Sequence, residues 1–485
     1  MLIMKLKQKM DTAYQPCRIV FIICTIFVGF TIITWLGLFL GQSVLYASET
    51  IIALCALAVM LLLRQNELMV VSILAIHLYV DWYLGLGGIA LLLACMLLIN
   101  NYMRRSPAYL WQEPRHLWLW GLFLLLSLFS ALHGISLADA LYYYFNIVVG
   151  AFLMLWLGIV IVRTPQNLKY ALGFLSAFGA LVAIHAIIQA TTGQTLFAST
   201  RFERYFTTIS NYVIADTFHR SGSFLINPDS SGSFFSMMLL LPLGLFCASA
   251  SILGKLFYAV QVALITIALS FSYSTGGWAA AGAGLFVFIM LVKQTRYRLQ
   301  IIMLSILIGI MILNFFPQQF SIQLQHAIAP NELSLRQGAW LTGIQVITAF
   351  PLTGVGLGRY AYIMRAEPYR VIEQYRPLAH PHNSYLELAA LAGLPVMVIF
   401  AVLLIISFYA ALQNWRPTEG KKCLWISSGI AALVALSMNS FVASGWTLAP
   451  LAAIGWLILG LISSPLLKGR QLHEAEKELS GEAQS

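Results

Sequence analysis

The stretch HPHNSYLELAALAGLPVMVIFAVLLIISFYAA, residues 380–411, decides the fold. It opens on two histidines and an asparagine, and from Leu386 onward it is apolar apart from Glu387 and Ser407. That run exceeds the ~20 residues a helix needs to cross a bilayer. Before it lies a polar insertion, from about Pro317 to Tyr385, holding Arg336, Arg359, Arg365, Arg370 and Arg376 and no lysine. Arginines gathered where the chain re-enters a membrane point to an anionic substrate met at the membrane surface.

Outward from this stretch, apolar runs recur along the whole chain. Hydrophobic residues make up 60% and charged residues 9%, against roughly 45–50% and 25% in soluble domains. The runs are too long and too evenly apolar for membrane strands, so the expected class is an all-α polytopic membrane protein. Spans are expected near 19–41, 45–63, 68–84, 86–100, 117–133, 140–162, 170–190, 233–250, 255–272, 276–292, 299–316, 386–411, 423–441 and 447–464. The third and fourth are short and meet at Gly85, Gly87 and Gly88, a turn signal, so the expected count is 12–14. The implied organisation is an N-terminal bundle (1–190), an external loop (191–232), central helices (233–316), a large external loop with short helices (317–385), C-terminal helices (386–464) and a cytoplasmic tail (465–485).

Lys and Arg in short loops set orientation. Lys5, Lys7, Lys9, Arg64, Arg104, Arg163, Lys169, Lys255, Lys293, Arg416 and Lys421 fall on one side, which places both termini in the cytoplasm and the two long loops outside. The net charge of +10 is thus mostly topology. No basic stripe with interleaved aromatics occurs, so nucleic acid is not an expected partner, whereas the lipid bilayer is. Cys17, Cys24, Cys55, Cys95, Cys247 and Cys423 lie in or beside spans, and neither outer loop holds one; no disulfide framework or cysteine metal site is indicated.

Chemistry concentrates in the two loops. Arg220 lies shortly before a span, near head-group depth, where a guanidinium can clamp a phosphate through parallel hydrogen bonds. Asn227-Pro228-Asp229 is a turn signal able to cap the next helix. Residues 333–348 read as an amphipathic helix with Arg336 and Trp340 on one face at i, i+4, ended by Phe350-Pro351 and a turn with Gly354, Gly356 and Gly358. That turn reads as structural, since no strand precedes it to make a nucleotide motif. His382 is the leading candidate for chemistry: imidazole titrates near neutrality and can take a proton from a hydroxyl, and the neighbouring Asn383 could orient a ring or a substrate group. His380 and His382 lack a carboxylate at ligand spacing, so no metal is expected. Within the spans His77 with Asp81, and His185 with Gln189, repeat an i, i+4 spacing that reads as structural pairing.

Taken together these residues resemble the O-antigen ligase and polymerase family of bacterial envelope glycosyltransferases. The resemblance rests on Arg220 with Gly222, Phe224, Asn227 and Pro228; on Arg336 with Trp340; on Pro351-Leu352-Thr353-Gly354-Val355-Gly356; and on His382-Asn383 with Gly393 following. It covers roughly residues 200–410. It implies a GT-C-like fold in the cytoplasmic membrane that moves glycan from an undecaprenyl-diphosphate carrier to a glycan or lipid-glycan acceptor, without metal, nucleotide or other cofactor. By the same resemblance His382 is the general base, Arg220 and Arg336 hold the diphosphate, and Asn383, Asn227, Asp229, Trp340 and His380 are supporting candidates. Two positions depart from the family pattern: Tyr273-Ser274-Thr275-Gly276-Gly277 lacks the arginine of a Ser-Arg-Gly motif, and Val396 replaces the usual final residue of the His-Asn pattern. The leading expectation is a polymerase of lipid-linked repeat units. A ligase using another acceptor is the alternative within the family, and a lipid-linked glycan flippase the alternative outside it. A flippase commonly shows repeated halves and midplane binding groups, and neither is evident here.

Overall fold

The computed structural model describes residues 114–162, 164–192, 213–215, 218–223, 225, 227–315, 317–318, 321, 330–371 and 380–468. The first four expected spans, the His77–Asp81 pair, Phe224, Arg376 and the tail from 469 lie outside the described residues. The described helices are α1 (Leu117–Leu132), α2 (Leu137–Tyr143), a π-helical stretch (Tyr144–Val149), α3 (Gly150–Ile161) and α4 (Pro165–Thr192). After a two-stranded antiparallel pair, β1 (Val213–Ala215) and β2 (Phe218–His219), come α5 (Pro228–Met238), α6 (Leu240–Ala248), α7 (Ile252–Ser272), α8 (Thr275–Leu291) and α9 (Thr295–Phe315). The rest are α10 (Pro330–Ala349), α11 (Arg359–Ala366), α12 (Ser384–Ala392), α13 (Leu394–Trp415), α14 (Gly420–Asn439) and α15 (Ala449–Ser463).

Among the described residues six helical segments are long and apolar enough to cross a membrane: Leu137–Ile161, Pro165–Thr192, Pro228–Ala248, Ile252–Ser272, Leu394–Trp415 and Gly420–Asn439. The protein is therefore an all-α polytopic membrane protein, as its hydropathy requires. α15 packs along α3, α8 and α6 along α14, and α7 along α4. The α3–α15 contact is backbone to backbone: a Cβ on Gly158 would lie 2.5 Å from the Leu457 carbonyl oxygen, and one on Gly460 2.2 Å from that of Leu155. Small residues of this kind let helices approach closely in lipid, where apolar surface alone does not drive helices together. Trp456 sits at the centre of an aromatic cluster, with ring centroids 5.2 Å from Trp120, 5.3 Å from Trp446 and 5.9 Å from Phe400.

Three spans differ from their expected form. The segment expected as one helix over 386–411 is α12 and α13, broken at Gly393 (φ 89°) with Pro395 in the first turn of α13. A Cβ on Gly393 would stand 2.3 Å from the Leu352 carbonyl oxygen, and one on Gly354 (φ 63°) 2.4 Å from that of Leu391. The break is thus where the glycine turn after α10 locks onto the chain, with Val355 and Gly356 N–H donating to the Ala390 and Leu391 carbonyls at 2.8 and 2.9 Å. Gly354 and Leu357 N–H are spent on the Phe350 and Ser130 carbonyls, so four successive amides of the turn bond to backbone carbonyls. The span expected over 233–250 starts at Pro228 and is continued as α5 and α6, and that over 140–162 starts at Leu137 and loosens into the π-helical stretch.

Candidate active site

The site is assembled at one end of the bundle from the segment before α5, the α7–α8 turn, the first half of α10, the approach to α12 and the α14–α15 connection. Segment 220–223 is pinned from three sides. Ser221 N–H donates to the Phe271 carbonyl at 2.9 Å, while Gln189 Oε1 on α4 accepts from Ser221 Oγ at 2.7 Å and from Ser223 N–H at 2.8 Å. Ser223 Oγ donates to the Val182 carbonyl at 3.1 Å, so His185 Nδ1, also at 3.1 Å, is the donor to it. His185 and Gln189 thus serve this loop, and the structure ties their i, i+4 spacing to the loop's serines.

This anchorage presents Arg220, which is 8% exposed. Its Nε donates to the Ser272 carbonyl at 3.1 Å, and Nη2 to the Tyr273 carbonyl at 3.4 Å and to Asp229 Oδ1 at 2.9 Å. Tyr273, in the left-handed region at φ 50°, ends α7 and carries the chain into the Ser274 cap of α8. The departure from the family pattern falls on this turn, whose carbonyls hold Arg220. Asn227 caps α5, its side-chain oxygen accepting from Ser230 N–H at 2.7 Å. That cap sets Asp229 in the first turn, where a carboxylate is favoured by the helix dipole. From α10, Arg336 Nη2 approaches Asp229 Oδ2 at 3.9 Å. Trp340, one turn on, is half-buried, and its Nε1 has no hydrogen-bond partner among the described residues.

His382, on the approach to α12, lies within electrostatic reach of Asp229 and Arg336. It occupies the left-handed region at φ 51°, and its N–H donates to His380 Nδ1 at 3.2 Å, with the two rings 4.3 Å apart. Burial, the His380 ring and Arg336 push the His382 imidazole down to about 4, against the upward pull of Asp229 and Glu387. Burial and Arg359 likewise push His380 down to about 4. Both rings are therefore neutral near pH 7, the form able to accept a proton. Asn383 caps α12, its side-chain oxygen accepting from Tyr385 and Leu386 N–H at 2.9 and 3.1 Å. Its side-chain oxygen thereby holds the helix start in place, where the sequence suggested that Asn383 would orient a ring.

The remaining loop arginines separate. Arg365 Nη1 donates to the Val355 and His133 carbonyls at 2.6 and 3.1 Å and fastens the glycine turn to the end of α1. Arg370 pairs with Glu367 at 2.8 Å. Arg359 is exposed at the start of α11, within electrostatic reach of His380.

One ionisable residue escaped the sequence reading. Glu387, 6% exposed, accepts from Thr447 Oγ1 at 2.6 Å, Ser444 Oγ at 2.8 Å and Tyr143 OH at 3.3 Å. A single carboxylate one turn inside an apolar run was the signal available, since such groups are functional suspects by default.

The family described as O-Antigen ligase matches this chain over residues 260–401, a segment that carries Arg336 and His382 and stops short of Arg220. The match agrees with the resemblance read from the motifs and supports membrane glycosyl transfer of the O-antigen ligase and polymerase type, with lipid-linked glycan and an acceptor as substrates. No curated protein matches the chain.

Proposed function

We propose, from the premise of an O-antigen ligase match over residues 260–401, that this protein polymerises undecaprenyl-diphosphate-linked oligosaccharide repeat units at the outer face of the cytoplasmic membrane. The observation that carries the reading is the meeting of Arg220 and Arg336 on the single carboxylate of Asp229, with His382 within electrostatic reach of that carboxylate. Neutral His382 takes the proton of the acceptor hydroxyl as its oxygen forms a bond to the anomeric carbon. The bond from that carbon to the diphosphate oxygen breaks, its electron pair leaves with the lipid diphosphate, and Arg220 and Arg336 stabilise the added charge. Asp229 holds the two guanidinium groups together and keeps a counter-charge beside the imidazolium that forms.

A ligase reading has its own support in the description of the matching family. In it the same three residues act and only the acceptor differs. The test is a reconstituted reaction of the purified protein with one lipid-diphosphate-linked repeat unit extracted from the native membrane, run beside His382→Ala. A ladder of lengthening lipid-linked products, lost in the variant, is expected of a polymerase. Product only after adding a second acceptor class would replace that reading with the ligase one, and a ladder undiminished in His382→Ala would overturn the assigned base.

A further inference from the structure

Glu387 lies in the first turn of α12, shortly after the histidine pair in the chain, and no step above uses it. Its three donors come from three places: Tyr143 at the end of α2, and Ser444 and Thr447 in the α14–α15 connection. Ser444 Oγ also lies 3.2 Å from His380 Nδ1. That nitrogen already accepts the His382 N–H, so it is the unprotonated nitrogen of the ring; the single Ser444 hydrogen goes to Glu387 at 2.8 Å and can turn to His380 Nδ1 at 3.2 Å only by leaving the carboxyl. A chain of contacts therefore runs from Glu387 to Ser444, from Ser444 to His380, and from His380 Nδ1 to the backbone N–H of His382, the residue whose left-handed conformation needs support.

Glu387 is a buried carboxyl group bound only by hydroxyls. Arginine partners are the usual company of buried acids, and no salt bridge to Glu387 occurs among the described residues. The charged and titratable groups facing this pair are His380 and His382 from its own segment, Tyr143 from α2, Tyr362 and Arg359 from α11, Arg336 from α10 and Asp229 from α5.

We infer that Glu387 is a positioning residue for glycosyl transfer: it holds the His380–His382 turn through Ser444 and adds to Asp229 a second, buried counter-charge for the imidazolium formed at His382. The inference rests on the reading of His382 as the general base. Glu387 itself neither touches substrate nor takes the proton, which stays on His382 until the diphosphate product departs.

The test is the pH dependence of kcat and KM in the reconstituted reaction, with the lipid-linked repeat unit of the native membrane as donor, for wild type, Glu387→Gln, Glu387→Asp, Ser444→Ala and His382→Ala. Glu387→Gln keeps the shape and removes the charge. It is expected to lower kcat at least about ten-fold with donor KM unchanged, to move the acid limb of kcat to lower pH, and to be partly rescued by Glu387→Asp. Ser444→Ala, which leaves the carboxylate in place, is expected to lower kcat several-fold without moving the limb; it carries the test should Glu387→Gln fail to fold. A folded Glu387→Gln with wild-type kcat or an unmoved limb overturns the inference, as does wild-type kcat in Ser444→Ala. Full activity in His382→Ala instead overturns the base on which the inference rests.

Discussion

Asp229 Oδ1 lies 2.9 Å from Arg220 Nη2, and its other oxygen lies 3.9 Å from Arg336 Nη2. One carboxylate thereby gathers guanidinium groups that reach it from the chain before α5 and from α10. The two contacts differ in kind. Arg220 is also tied to two carbonyls and buried, whereas Arg336 has 20% of its side chain exposed and a longer contact. Arg336 is the freer of the two to turn toward an incoming diphosphate.

Replacing Arg336 with alanine should therefore cost activity far more than stability: about a 100-fold loss of kcat, the scale of removing one charge-stabilising donor. Arg220→Ala should lose both, because it leaves Asp229 and two carbonyls without their donor. Arg220→Lys should not restore either, since an ammonium cannot reproduce the planar fork. Kinetics with the lipid-linked donor beside thermal unfolding in detergent separate these outcomes.

His382 should set the acid side of the activity profile. With its imidazole held down to about 4 by burial, His380 and Arg336, the rate should persist through pH 6 and fall only as pH approaches about 4 to 5. An acid limb near the ordinary histidine value would contradict this. His382→Ala should lose roughly 100- to 10,000-fold in kcat.

The same shifts make stability pH-dependent. His380 and His382 both have folded-state values near 4, below the ordinary 6.5, so the unfolded chain binds more protons between those limits. Stability should hold above pH 6.5 and decline as pH falls through the window from 6.5 to about 4. Melting temperature measured from pH 7.5 to 4 should show this decline, and it should flatten in the His380→Gln, His382→Gln double variant.

Gly393→Ala should damage site and fold together. Its Cβ meets the Leu352 carbonyl oxygen at 2.3 Å on a φ of 89°, so the α12–α13 break must open and carry the capped start of α12 with it. A loss of roughly 1–3 kcal/mol, read by chemical or thermal unfolding, is expected with reduced kcat. Gly420→Ala shares a positive φ but meets nothing within 4 Å; it should cost less and leave kcat unchanged.

Gln189→Leu should weaken the presentation of Arg220 without touching it. It removes the acceptor of Ser221 Oγ and the shorter acceptor of Ser223 N–H, which keeps only its 3.3 Å contact to Ser221 Oγ. Donor KM should rise while the acid limb of the profile stays in place; an unchanged KM would mean that the serine loop is held well enough by Phe271, Val182 and His185.

Arg220, Arg336 and His382 were singled out in the sequence because each lies in a polar loop where the chain meets an otherwise apolar run, and the structure adds that Arg220 and Arg336 share Asp229. The capping use of Asn227 and the α10 boundary at Phe350-Pro351 were legible for the same local reason. A side chain that caps a helix and one that orients a ring look alike in sequence, and the structure shows the oxygen of Asn383 in the cap. Arg365 gave no sign of its role, because its acceptors are backbone carbonyls of the glycine turn and of the distant α1. Ser444 and Thr447 are ordinary hydroxyls in a connection, and only their approach to Glu387 distinguishes them.

Sequence alone determined the class of the molecule: burial of apolar side chains in lipid is nearly additive along the chain, so runs of sufficient length must become membrane helices wherever their neighbours lie. It also determined which residue types were available for anion binding and proton transfer. Only the tertiary structure decided that Asp229 lies between Arg220 and Arg336, and that Glu387 connects through Ser444 to the histidines. Those distances depend on which helix ends meet, and close glycine contacts and hydrogen bonds between residues far apart in the chain set that meeting.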